Sequence, residues 1–109
     1  MANTFKLKTK ANVGVTTVGI YTAPASTTTV VIGITMANTS GSGVNVGVGI
    51  TRAGTTEDVK LLKNAPIPQG SSLEFMAGNK IVLEETDTVV VDSDTNNSVD
   101  AALTIMEST

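Results

Sequence analysis

The sequence predicts an all-β protein: a single-domain antiparallel β-sandwich, jelly-roll-like, of about eight to nine short strands. Three observations carry that prediction. Of the 109 residues, 39 are Val, Ile or Thr, β-branched side chains that lose freedom in helices and pack well on a pleated surface. Apolar and polar residues alternate with period two along most of the chain, as in strands with one buried face. Clusters of Gly, Pro, Ser, Asn and Asp break the alternation about every 8–12 residues, the spacing of a sandwich or small barrel. The length suits one domain, residues 1–109, and no linker or internal repeat divides it.

The first strand is basic. Residues 5–9 set Phe5, Leu7 and Thr9 against Lys6, Lys8 and Lys10, which reads as a half-buried strand at about residues 3–11 with a cationic outer face. Thr16–Thr22 is a second short strand, closed by the turn Ala23-Pro24-Ala25-Ser26. Thr27–Asn38 is the longest. Val30, Ile32, Ile34 and Met36 share one face, read as the core face, with Thr29, Val31, Gly33 and Thr35 opposite. Ser40-Gly41-Ser42-Gly43 turns the chain into Val44–Thr51, so the two segments read as a hairpin. In the second of them Val44, Val46, Val48 and Ile50 point one way and Asn45, Gly47, Gly49 and Thr51 the other. Those glycines leave room for close approach, inside the domain or between subunits.

After a turn at Arg52–Thr55, Asp58–Lys63 is read as a strand because it is short and lies among strands. Pro66 and Pro68 make Asn64–Gly70 a loop or an edge segment, since proline donates nothing to a ladder. Four more strands follow at Ser72–Met76, Lys80–Glu84, Thr88–Asp92 and Val99–Met106. Turns at Ala77-Gly78-Asn79, Glu85-Thr86-Asp87 and Asp94–Asn97 separate them. The last strand alternates Val99, Ala101, Leu103 and Ile105 against Asp100, Ala102, Thr104 and Met106.

What is missing narrows function further. There is no Cys and no His, hence no disulfide frame, thiolate nucleophile, imidazole base or imidazole-held zinc. With no Trp, one Tyr and two Phe, few side chains can stack sugars or bases. Residues 1–10 carry three lysines and no acid, whereas the remainder sets four basic residues against ten acidic ones. An acidic body of that kind is a poor nucleic-acid binder, and the basic strand is read as an edge guard or a dock for an acidic partner. No apolar run approaches a membrane span, and the first residues lack a signal peptide's apolar stretch, so folding in a cytoplasm-like compartment is expected. The sequons at Asn38–Ser40 and Asn96–Ser98 are read as chance matches.

The remaining motifs fail as chemistry. Asp92-Ser93-Asp94-Thr95-Asn96 opens like a calcium loop, but Asn97 stands where that loop needs Gly and Leu103 where it needs a carboxylate. Gly41-Ser42-Gly43 and Gly47-Val48-Gly49 lack the following helix of a phosphate loop. Glu84, Glu85 and Asp87 crowd three carboxylates at a turn without aromatic subsites to hold a sugar. Arg52 reads as an ion-pair partner. No base near pH 7 and no activated nucleophile can be named, so the protein is not expected to be an enzyme and no cofactor or metal is expected. Only 16% of residues are charged, below the usual ~25%, which a repeatedly packed subunit tolerates.

One longer pattern spans Ile20–Gly54 and Leu61–Glu107. It runs I-Y-T, a Pro/Ser turn, a long strand ending A-N-T-S-G, and a second strand ending T-R-A-G. A-P-I-P-x-G-S-S-L, G-N-K-I-V-L-E, D-T-V-V-V and a closing V-D-A-A-L-T strand follow. This resembles the small virion structural proteins of tailed phages, those of marine and cyanobacterial phages above all, over about three quarters of the chain. Where that pattern has Gly before the Asp of the acidic turn, this chain has Thr86. The resemblance implies a non-enzymatic particle component that decorates or cements a capsid, held to the major capsid protein or other virion proteins by non-covalent contacts. It also implies a homo-oligomer, a trimer first, on a particle assembled in the host cytoplasm. A neck, tail or fibre component is the alternative, and a glycan- or ion-binding β module the second. The candidate interface residues are Lys6, Lys8, Lys10, Asn45, Gly47, Gly49, Arg52, Pro66 and Pro68.

Overall fold

The computed structural model describes residues 3–75 and 80–109. Its strands are β1 (Asn3–Val13), β2 (Val18–Thr22), β3 (Thr28–Asn38), β4 (Val44–Arg52), β5 (Glu57–Ile67), β6 (Ser72–Phe75), β7 (Ile81–Leu83), β8 (Asp87–Ser93) and β9 (Val99–Ser108). They form two antiparallel sheets. One has the order β1-β9-β3-β6, with β7 also paired to β3, and the other β2-β8-β4-β5. Counted with β6 and β7 as one interrupted strand, the first strand pairs with the last, the second with the one before it, and so inward to β4 and β5. This is a folded ribbon rolled into a sandwich, the jelly-roll topology. Each predicted strand segment is a strand, with ends moved by a few residues. Met76 and the turn Ala77-Gly78-Asn79 lie outside the described residues.

The inner faces of both sheets build one core. Met36, Val46, Val48, Val91, Leu103 and Ile105 are each at most 2% exposed, and the void left between the sheets is about 10 Å³. The alternation read in β4 and β9 is the one observed: Val44, Val46, Val48 and Ile50 are buried, as are Val99, Ala101, Leu103 and Ile105.

Three expectations are corrected. The face of β3 changes midway. Thr29 and Val31 are buried in its first half and Ile34 and Met36 in its second, while Val30 and Ile32, assigned to the core, are only half-buried. The register against β9 shifts between Val31 and Gly33. This bulge at Ile32 adds one residue and flips the phase of everything beyond it.

β3 and β4 are not a hairpin. They lie in different sheets, so their apolar faces oppose each other across the core instead of sharing one sheet face. Asn38 secures the crossing: its Nδ2 donates to Ser42 O at 2.8 Å and Ile67 O at 3.0 Å, while its Oδ1 accepts from Ser40 N at 2.9 Å.

β1 presents the opposite face from the one expected. Phe5 and Leu7 are 70% and 65% exposed. Pairing sets Lys6 opposite Ile105 and Lys8 opposite Leu103, so the lysines point to the core side of the sheet, at its rim. A left-handed Asn12, φ 58°, and a register shift then turn Val13 into the core.

The proline segment is partly strand. β5 continues through Pro66, which pairs with Asn45, along the free edge of its sheet, where a missing N–H costs nothing. In the acidic turn Thr86 takes φ 69°. That left-handed geometry favours glycine and is costly for a β-branched residue, and Thr86 N is held by Ala23 O at 2.9 Å.

Candidate functional site

The structure distributes the nine candidate residues over separate places. Asn45 and Pro66 face each other across the β4–β5 pair and are exposed, with Pro68 exposed just beyond. Gly47 and Gly49 are buried within their own sheet. A Cβ at Gly47 would lie 2.6 Å from Asp92 Oδ1, and one at Gly49 would lie 2.8 Å from Val59 O. The room these glycines leave is therefore taken by β8 and β5 of the same chain.

Arg52 ends β4 in an ion pair inside the molecule. Its Nε donates to Asp87 Oδ1 at 3.1 Å, and its Nη2 pairs with Glu84. Asp87 is 4% exposed and its other oxygen accepts from Glu84 N at 2.9 Å. The group fastens the β7–β8 turn to β4. It forms one wall of an open cleft of about 420 Å³ shared with Ile50, Val59 and Val82, whose charged groups are already committed to one another.

Lys6, Lys8 and Lys10 remain together on β1, on the side of the molecule opposite β5. Lys6 Nζ lies 2.9 Å from Glu107 Oε1. Glu107 prolongs the core face of β9 and is 8% exposed, and Tyr21 donates to its Oε2 at 2.6 Å. With the phenol proton so used, Thr29 Oγ1 donates to the Tyr21 oxygen at 2.7 Å. Burial first, then the hydrogen bond to Glu107, pushes the Tyr21 phenol up to about 12. The same hydrogen bond, then Lys6, holds Glu107 below the ordinary carboxylate range. This buried network is fully partnered and joins β2 to β3 and β9, so it acts as a rim lock between the sheets. The sequence reading missed it, because a Tyr and a Glu 86 residues apart give no local signal.

The carboxylates of the failed calcium loop are engaged as well. Thr17 Oγ1 donates to Asp92 and Asn45 N to Asp94, each at 3.1 Å. Among the described residues no group of three acidic side chains is placed to hold a metal ion.

The surface that sequence reasoning assigned inward is the apolar one. Phe5, Leu7 and Val82 stand exposed on the outer face of the five-stranded sheet. The alternation of β1 contained the signal, but which phase faces out depends on its register with β9.

No protein-family model matches the chain, and no curated protein sequence matches it. Solved structures do share the fold. A chain of the acidic stable capsid of Helicobacter pylori bacteriophage KHP30 superposes with a TM-score of 0.59 at 11% identity, over 98% of this chain and 87% of that one. A chain of the disulfide-linked pili that form Bacillus endospore appendages gives 0.57 at 16% identity, over 99% and 87%. A chain of infectious bursal disease virus, Gx strain, gives 0.54 at 13% identity, over 95% of this chain but only 33% of that one. At these identities the likeness establishes the sandwich fold.

Proposed function

We propose that the protein is a structural subunit of a phage virion, and within that class a capsid decoration or cement protein bound to the major capsid protein. The observation that carries this reading is a jelly roll in which, among the described residues, no buried polar side-chain atom lacks a partner, and in which the outer face of the five-stranded sheet exposes Phe5, Leu7 and Val82. Such a surface does its work by contact rather than by chemistry. The similar chains from a phage capsid, a virus and a pilus support it at the level of architecture, since a fold by itself hosts many functions. Lacking cysteine, this chain would be held by shape and charge alone, unlike disulfide-linked pili. Lys8 and Lys10, with Lys6 partly held by Glu107, supply a cationic edge for an acidic neighbouring subunit.

Copy number per purified virion tests the reading, counted by quantitative mass spectrometry against the major capsid protein. Hundreds of copies are expected, released more readily from Lys8→Gln, Lys10→Gln particles in low salt, where charge contacts are least screened. A few to a few tens of copies would move the protein to neck, tail or fibre. Absence from the particle would overturn the virion reading and return attention to a glycan- or ion-binding module.

A further inference from the structure

The outer face of the five-stranded sheet has two parts that fit each other. Register places Phe5, Met106, Val30 and Val82 in one row across β1, β9, β3 and β7. Leu7 stands in the next row, beside Thr104 and Gly33. Phe5, Leu7 and Val82 are 70%, 65% and 59% exposed, and the half-buried Met106 and Val30 join them into a continuous ridge. Scattered apolar side chains are ordinary on a soluble protein, but an aligned row marks a contact surface. Further along the same strands the face drops into a trough of small side chains. Thr9, Ala11, Thr35, Ala37 and Ala102 line about 350 Å³ of open space there, with Lys10 and Asp100 at its rim.

We propose that this face is where two copies of the chain meet. The two-fold axis lies in the plane of the face and runs across the strands, between ridge and trough. Rotation about it reverses strand direction and keeps strand order. Phe5 and Leu7 of one copy then lie over Ala11 and Thr9 of the other, with Val30 over Ala37 and Thr104 over Ala102, and the reverse. A two-fold interface uses the same patch on both partners and so must be self-complementary. A ridge and a matching trough on one face meet that condition, whereas an unrelated partner would need only the ridge.

Size agrees. Four strands at about 4.8 Å spacing and ten residues at about 3.3 Å rise give on the order of 600 Å² per copy. The total of roughly 1,200 Å² lies at the lower limit for a specific interface. The pairing goes beyond the particle reading and does not depend on which part of a virion holds the protein.

Sedimentation equilibrium on the full chain, from low micromolar to several hundred micromolar, tests the pairing. The expected result is a monomer–dimer equilibrium, or an even-numbered oligomer. Leu7→Lys, which charges the ridge, and Ala102→Arg, which fills the trough, should each weaken association about tenfold or more. Both positions point outward, so circular dichroism and the unfolding midpoint of the monomer should stay near the parent's. If Ala102→Arg unfolds the chain, Leu7→Lys at a 65% exposed site still decides. A monomer at every concentration, a trimer, or a dimer indifferent to Leu7→Lys overturns the proposal. A monomeric protein counted in hundreds on virions would remove the pairing and leave the particle reading intact. A Leu7-dependent dimer absent from virions would do the reverse.

Discussion

Tyr21 joins the two sheets through a single hydroxyl and is the one tyrosine in a chain without tryptophan, so its ionisation can be followed by ultraviolet absorbance without interference. Its phenol is pushed up to about 12 by burial and by the carboxylate of Glu107, so folding favours the neutral form. The corresponding stability is fully present below the unfolded value of about 10 and is lost as pH rises toward about 12. Glu107 has the opposite sign. Its folded pKa is lowered, so its contribution is present above the unfolded carboxylate range and is lost as pH falls through the folded value. Titration of the native protein should therefore show tyrosinate appearing near 12, against about 10 in concentrated urea. Glu107→Gln should bring the native midpoint down without reaching the urea value, because burial remains. A native midpoint equal to that in urea would mean that the phenol is not buried against Glu107.

At the scale of elements, the strands were readable because alternation and turn residues are local, and the errors came from quantities that are not. Period two divides a strand into two faces without saying which face meets the core. In β4 and β9 one face is uniformly apolar, and the reading held. In β1 both phases are plausible, an apolar one with Phe5 and Leu7 and a cationic one with long methylene stems, and pairing with β9 decides. In β3 apolar residues occupy both faces, and the bulge at Ile32 is marked in the sequence only by the neighbouring Gly33. At the candidate site Gly47 and Gly49 were read as points of close approach inside the domain or between subunits, and the approaching atoms belong to the same chain. This assignment of faces is testable by truncation. Leu103→Ala removes a side chain with 0% exposure and should cost about 2–5 kcal/mol in urea unfolding. Leu7→Ala should change the monomer by no more than about 0.5 kcal/mol, with any larger loss appearing only at protein concentrations that populate the dimer. Equal costs at the two sites, measured at low concentration, would mean that β1 buries Leu7 after all.

For the whole molecule, the order β1-β9-β3-β6 has a kinetic consequence. β9, last in sequence, sits between the first and third strands and bonds to both over eight or more residue pairs each. The five-stranded sheet cannot close until β9 arrives, and each of its pairings spans most of the chain. Loop-closure entropy must be overcome before such contacts return stability, which places folding in the slow class of β-sandwiches, at about milliseconds to seconds. Stopped-flow refolding followed by the Tyr21 signal should fall in that range, with no microsecond phase carrying most of the amplitude. A chain ending at Asn97 should show no cooperative unfolding transition. It would lack the strand that supplies Leu103 and Ile105 to the core, and it would leave β1 and β3 with unpaired edges. The four-stranded sheet β2-β8-β4-β5 would remain, but its Val46, Val48 and Val91 would lose the apolar surface that buries them. A sigmoidal urea transition in the truncated chain would show that this sheet holds its fold alone, and the interdependence argued from the topology would fail.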